Sequence, residues 1–318
     1  MNSAEIAFPN IGIYIPHLPK GITIGGFTIA FYGMIIAAGM LSGLWLACHQ
    51  AQRTGQKKEV YTDFAIYAII FSLIGARLYY VVFSWENYKD DLLQIFNTRG
   101  GGMAIYGAVI AAILTAIIYC KVKKYNFFLL ADTAVGGLVL GQIIGRYGNF
   151  FNREAFGEYT NSLFAMRLRV DQVNPANITE LMKSHMTTVD GVQYIQVHPT
   201  FLYESLWCAG LLIILFLYRK HKKYEGELFL MYLFGYGAGR VWIERLRTDQ
   251  LVLPGIGFPV SELLAGCLVV VTGIMLIYCR RHCRKRNEKK KVDQYEPVPT
   301  KIKGKKPPKW DDRLFKNR

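Results

Sequence analysis

The chain has 318 residues, 52% of them hydrophobic, and its 38 Lys and Arg against 23 Asp and Glu give a formal net charge of +15. Several apolar runs approach the roughly 20 residues that a helix needs to cross hydrocarbon, which excludes an ordinary water-soluble globule. The positive charge gathers in one tail beside a span, where attraction to anionic lipid headgroups accounts for it without a nucleic-acid partner.

The pattern predicts an all-α polytopic membrane protein of about seven transmembrane helices with a small α+β head on the outer face. The opening "MNSAEIAFPNIGIYIPHLPKG" has no basic region ahead of an apolar core, so it reads as an outer-surface segment rather than a cleaved signal. Span one, Gly26 to His49, is followed by Arg53, Lys57 and Lys58, and span two, Asp63 to Phe83, carries Arg77. Span three, Met103 to Cys120, opens in "NTRGGGMAIYGAV" and ends at Lys121, Lys123 and Lys124. Span four, Phe127 to Arg146, runs on into "GRYGNFFNREAFGEYTN". The long connection 152–200 forms the head, with strand-like "LFAMRLRVD" and "GVQYIQVHP" and a helical "PANITELMKSH". Spans five, six and seven follow as Phe201 to Tyr218, Glu227 to Trp242 and Ile256 to Tyr278, with Arg219, Lys220, Lys222 and Lys223 after the fifth.

Cytoplasmic loops hold the excess of Lys and Arg, so these basic segments place the N-terminus outside and the C-terminus in the cytoplasm. The membrane unit spans 1–279, and the basic tail 280–318 is too charged to bury a core and is expected to be disordered. The six cysteines lie in spans or at their cytoplasmic ends, which suggests no disulfide framework.

An ionisable side chain at the bilayer centre costs about 2.5–3.5 kcal/mol on insertion scales, so such groups usually face an interior cavity. Tyr32, Arg77, Tyr106, Arg146, Glu204 and Arg240 all fall in the outer half of their spans. On a continuous helix Tyr236, Arg240, Glu244 and Arg247 lie within roughly 80° of arc, and Arg146, Asn149 and Asn152 within about a third of a circumference. The glycines at 100–102, after Arg99, either cradle a phosphate or form a packing hinge. Arg77 reads as a ligand or as a snorkelling anchor, and His198 before Pro199 as a functional group or a turn residue. Guanidinium forks bind phosphate bidentately, so several cations at headgroup depth suit a phosphate-bearing lipid. No metal-ligand cluster, Walker loop or serine elbow stands out, so the chemistry is expected to need no metal and no cofactor. A lipid-acting enzyme, a flippase and an anionic-solute transporter remain open. Polar residues on one half of the membrane weigh against the flippase, and the lack of repeats against the transporter.

"GRYGNFFNREAFGE" resembles the signature of bacterial prolipoprotein diacylglyceryl transferases, Gly-Arg-x-Gly-Asn-Phe-x-Asn-x-Glu-x-x-Gly, at Arg146, Asn149, Asn152, Glu154 and Gly157. The likeness extends through "GARLYYVVF", "RGGGMAIYG", "HPTFLYES" and "YGAGRVWIERLR". It implies a seven-span enzyme of the bacterial cytoplasmic membrane. Such an enzyme moves the diacylglyceryl group of phosphatidylglycerol to the thiol of a lipobox cysteine in a preprolipoprotein, releasing glycerol phosphate in the first step of lipoprotein maturation. The resemblance assigns phosphate binding and charge stabilisation to Arg146 and Arg240, and headgroup orientation to Asn149, Asn152 and Glu154. Glu204 and Glu244 would pair with the guanidiniums, and Tyr32, Arg77, Gly102, His198, Tyr203, Tyr236 and Arg247 would line the substrate. Tyr106-Gly107 departs from the His-Gly of many members, whose histidine is a favoured activator of the thiol. A tyrosine with an ordinary pKa near 10 is a poor base. Tyr106 therefore acts as a poised phenolate or only as a hydrogen-bonding group, and in the latter case activation falls to His198 or to the positive field. A second departure, Phe201 where glutamine is common, removes one polar contact.

Overall fold

The computed structural model of the chain describes residues 5–98, 101–250, 252 and 257–295. Its helices are α1 (Phe31–Arg53), α2 (Lys58–Phe83), α3 (Ile105–Val122), α4 (Phe127–Asn152), the short α5 (Glu180–Ser184), α6 (Thr200–Tyr218), α7 (Glu227–Glu244) and α8 (Val260–Tyr295). Six of them are long and apolar enough to cross a membrane. The long helix that falls short is α7, interrupted by Glu227, Arg240 and Glu244, and it packs against α6, α8 and α4. The chain is thus a multi-pass helical membrane protein, and the long helix outside those six lies against three others.

Helix α4 is the axis of the bundle. Asn126 caps its start, its Oδ1 accepting from the N–H groups of Phe128 (2.9 Å) and Leu129 (3.3 Å). Gly39 and Gly43 of α1 meet Gly137 and Gly141 of α4, and a Cβ on Gly43 would lie 2.5 Å from the Gly137 carbonyl oxygen. Small residues four apart let the two backbones touch, which is how helices associate where lipid removes the hydrophobic drive. The expected fourth span ends at Arg146, but the helix continues to Asn152, so the polar motif occupies its last two turns.

The strands are β1 (Ile6–Phe8), β2 (Ile13–Ile15), β3 (Gly21–Ile24), β4 (Phe27–Ala30), β5 (Met166–Arg169), β6 (Thr187–Val189) and β7 (Val192–Val197). An antiparallel sheet in the order β2-β1-β5-β7-β6 forms the head, and α5 lies where a short helix is expected. The N-terminal segment is part of this head: Ile6 and Phe8 share its core with Phe156, Met166, Leu168 and Ile195. Strands β3 and β4 form a separate hairpin across Gly25 and Gly26, both at positive φ. The first helix therefore starts at Phe31 rather than near Gly26, because a Gly-Gly turn between β-branched runs favours a hairpin. At the other terminus α8 runs to Tyr295, into the segment expected to be disordered from Arg280. Its Arg, Lys and Glu have high helix propensity and extend a helix already nucleated in the span. Residues 296–318 lie outside those described.

Arg153 joins head to bundle. It sits at the end of α4 in a left-handed conformation (φ 56°) and is buried. Its Nη2 donates to Glu5 Oε2 (2.8 Å) and to the Leu18 carbonyl, and its Nη1 to the Phe151 carbonyl (3.0 Å). Burial pushes the Glu5 carboxyl up, but the Leu18 N–H, Gln172 and Arg153 outweigh it and hold the group below the usual carboxylate range. Such a group adds stability above its unfolded pKa, and that contribution is lost as pH falls through the folded one. Arg153→Ala is expected to cost about 2–3 kcal/mol by stranding a partly buried charge, seen as a lower melting temperature of the full chain and faster proteolysis of the N-terminal segment. The gap from the parent protein should narrow as pH falls below the usual carboxylate range and Glu5 protonates. An equal melting temperature at neutral pH would contradict the role.

Candidate active site

Helices α4, α6 and α7 bring Arg146, Glu204, Arg240 and Glu244 together. Glu204, just past the first turn of α6, is only 5% exposed. Its Oε2 lies 2.6 Å from Arg146 Nη1 and its Oε1 accepts from Arg240 Nη1 at 2.7 Å. Arg240 Nη2 in turn lies 2.5 Å from Glu244 Oε2, one turn further along α7. A buried carboxylate without a partner costs several kcal/mol, and here each oxygen of Glu204 meets one guanidinium from a different helix. Neighbouring bonds hold the register: Gln142 Nε2 donates to Tyr232 Oη (2.9 Å) between α4 and α7, and Ser205 Oγ donates to the Ile143 carbonyl (3.2 Å) between α6 and α4. Tyr236 stacks on Tyr232 beside them, with ring centroids 5.7 Å apart. Among the described residues Arg146 meets a protein acceptor only through Nη1.

The motif after Arg146 closes the site against the head. Asn149 and Asn152 ride the last turns of α4 as the spacing requires, and Asn149 Nδ2 donates to Glu154 Oε1 (3.3 Å). Three segments then meet: Gly157 N–H donates to the His198 carbonyl (3.0 Å), His198 N–H to the Glu158 carbonyl (3.0 Å) and Glu158 N–H to the Leu246 carbonyl (2.8 Å). A Cβ on Gly157 would stand 2.7 Å from the Leu246 oxygen, so only glycine fits. Tyr32, in the first turn of α1, packs its ring against Gly148. His198 Nδ1 shares a hydrogen bond with Tyr203 Oη (3.2 Å). Burial lowers the His198 pKa and Glu158 raises it, with burial prevailing, so the ring is neutral at pH 7.

Three expectations change. Arg247 does not share the helical face of Arg240, because α7 ends at Glu244; it instead grips Asp249 bidentately (2.9 and 2.7 Å). Burial pushes the Asp249 carboxyl up, but this fork holds it below the usual range. Arg77 neither snorkels nor offers a free fork: all five N–H groups donate to backbone carbonyls, those of Gln94, Ile95, Asn97, Gly101 and Gly102, at 2.7–3.0 Å. Gly102, at φ 76°, has no room for a Cβ beside that guanidinium, which favours the packing hinge; Arg99 and Gly100 lie outside the described residues. Tyr106 makes no hydrogen bond to either arginine, and its hydroxyl pairs with Ser261 Oγ of α8 (2.9 Å).

Sequence reasoning missed Gln142, Asp249, Ser261 and Arg153. Gln142 precedes Arg146 by one helical turn and Asp249 follows Arg247 by two residues, so both carried a local signal. The partner of Ser261 is 155 positions away, and no local pattern announces it.

A family-wide sequence profile described as prolipoprotein diacylglyceryl transferase matches residues 19–278. The phosphatidylglycerol–prolipoprotein diacylglyceryl transferase of Bacillus cytotoxicus is 42% identical over 268 residues, covering 84% of this chain and 94% of the relative. Proteins of the same description from Clostridioides difficile and Listeria welshimeri are 45% identical over 231 residues and 42% identical over 262. They cover 73% and 82% of this chain, and 84% and 90% of their own lengths.

The Arg77 hub generates a prediction about stability. A lysine has three donors, so Arg77→Lys leaves at least two of the five carbonyls unpaired and should cost about 2–4 kcal/mol. The measurement is thermal denaturation of the full chain with proteolytic mapping of the connection 84–104. An unchanged melting temperature would contradict the assignment.

Proposed function

This chain belongs to the prolipoprotein diacylglyceryl transferase family, and we propose that the Arg146–Glu204–Arg240–Glu244 cluster is the centre at which it works. The protein is a transferase of the bacterial membrane that moves a diacylglyceryl group from phosphatidylglycerol to a prolipoprotein, the first step of lipoprotein maturation. The observation that carries the assignment of the site is the Glu204 bridge between two guanidiniums, of which Arg146 keeps donors without protein partners among the described residues.

The acceptor is the thiol of the lipobox cysteine. The sulfur attacks the glyceryl carbon, the bond from that carbon to the phosphate oxygen breaks, and a thioether forms. The thiol proton is released, and the departing glycerol phosphate gains a second negative charge. Arg146 receives the phosphate oxygens through its free N–H groups, and Arg240 adds a second cation already oriented by two carboxylates. Fixed cations in a site that excludes water stabilise developing charge without reorganising at the moment of reaction. Asn149, Asn152 and Glu154 orient the glycerol hydroxyls, and Tyr32, Tyr203, Tyr236 and Arg247 line the bound lipid. Arg77 and Gly102 shape the loop before α3 instead of touching substrate.

The positive field makes the thiolate, because cations beside a thiol lower its pKa. Tyr106, bonded to the neutral Ser261 hydroxyl, positions the substrate rather than taking its proton. His198 is neutral, but its Nδ1 is occupied by Tyr203. The basic residues after α1, α3 and α6 share one end of the bundle, which supports a cytoplasmic position for that end and an outer one for the cluster and the head.

The test is transfer from phosphatidylglycerol to a lipobox peptide by purified protein, with the thioether product measured. Arg146→Lys keeps the charge and loses the fork, so activity should fall at least about tenfold, or 1.4 kcal/mol in transition-state terms. Near-normal turnover with unchanged protein level would overturn the phosphate-binding role. Tyr106→Phe should cost about tenfold, the worth of one hydrogen bond, with the pH profile unmoved. A residual activity below about a thousandth of the parent at every pH would make the phenol the base instead.

A further inference from the structure

At the end of the bundle away from Arg146, helices α1, α4 and α6 enclose a cavity of about 540 Å³. From Asp132 to Arg146 helix α4 rises about 21 Å, so this space is separate from the proposed site of transfer. Gly136 of α4 leaves its floor open: a Cβ there would meet Phe216 only at 3.6 Å and Leu212 at 3.9 Å. Leu129, Leu212, Leu215 and Phe216 supply apolar walls.

The mouth is cationic. Arg53, Arg219, Lys220 and Lys222 line it against a single carboxylate, Asp132. That carboxylate is already engaged, by Lys222 at 3.0 Å and by the N–H groups of Gly226 (2.8 Å) and Phe229 (2.9 Å), which fasten the start of α7. Arg219 spans the opening from α6 to α1, donating to Gln50 Oε1 (2.6 Å) with its guanidinium 5.3 Å above the Phe216 ring. Arg53 and Lys220 have no ion-pair partner among the described residues.

A ligand that fits has an anionic head and a hydrocarbon body. A free phosphate would satisfy the mouth and leave the apolar depth empty, whereas a neutral lipid would leave the cations uncompensated. We propose that this cavity is a second lipid site, which takes one anionic phospholipid from the leaflet at this end of the spans. Its phosphate sits on Arg53, Arg219 and Lys220, and an acyl chain lies along Leu212, Leu215 and Phe216. Basic pockets between transmembrane helices bind anionic headgroups in this way. The lipid ties α1 to α6 at the end opposite the one where α6 presents Glu204.

The test is photocrosslinking of the full-length protein in phosphatidylcholine vesicles doped with either phosphatidylglycerol or phosphatidylcholine bearing a diazirine in one acyl chain. Adducts are mapped by mass spectrometry. Phosphatidylglycerol should label the segments 129–136 and 212–216 well above phosphatidylcholine. The double variant Arg53→Ala/Lys220→Ala should lower that labelling about tenfold, through the loss of two headgroup contacts. Arg53→Lys/Lys220→Arg should restore it, and labelling near Arg146 should be unchanged in both. Equal labelling by the two lipids, or undiminished labelling in the alanine variant, would overturn the site. Displacement of the label by excess inorganic phosphate would assign the mouth to the free ion and overturn the lipid reading.

Discussion

A carboxylate held between two guanidiniums at membrane depth is the interaction on which the arrangement of helices depends. Glu204 without arginines, or the arginines without Glu204, would leave charge uncompensated in a low-dielectric interior. Satisfying it forces α4, α6 and α7 into one register. Two of these helices are fastened again at their far end, where Asp132 of α4 accepts from the N–H groups of Gly226 and Phe229 at the start of α7. Glycines along α1 and α4 let those two backbones meet. The charged cluster is thus framed by contacts that leave its geometry little freedom, the condition under which fixed charges catalyse.

Two arginines with similar positions in their spans illustrate how satisfaction of donors separates structure from function. Arg77 is buried and every N–H it has meets a carbonyl of the loop before α3. Arg146 has one carboxylate oxygen and, among the described residues, no further acceptor. Charge, residue type and depth are alike, so only the partners decide which fork is available to a phosphate. The proposed lipid cavity rests on the same distinction, between the engaged Lys222 and Arg53 and Lys220, which have no ion-pair partner among the described residues.

Much of this was legible in the sequence because membrane spans and helical faces are local properties. The apolar runs located the long helices, and the shared face of Arg146, Asn149 and Asn152, which required the helix to continue past the expected end at Arg146, holds because α4 runs to Asn152. The pairing of Glu204 and Glu244 with arginines followed from the cost of a lone carboxylate at depth. What escaped was long-range or depended on where a helix stops. No periodicity announces that Ile6 and Phe8 complete a sheet with Met166–Arg169, or that Tyr106 finds Ser261. Arg247 was misplaced because a helical wheel extends past a helix that ends at Glu244. Arg77 was ambiguous because saturation of its donors requires a folded loop that composition does not describe.

The account stands most directly on the claim that Glu204 acts through the guanidiniums it holds, and a double-mutant cycle on transfer activity across Arg146 and Glu204 measures that coupling. If the carboxylate works by fixing the fork of Arg146, Glu204→Gln and Arg146→Lys should each lower the rate of transfer, while the double variant is little worse than either. The coupling would then be of the order of 1 kcal/mol or more, as for neighbours in one network. Independent losses that add in the double variant would contradict the claim and reduce Glu204 to a counter-ion with no part in presenting Arg146.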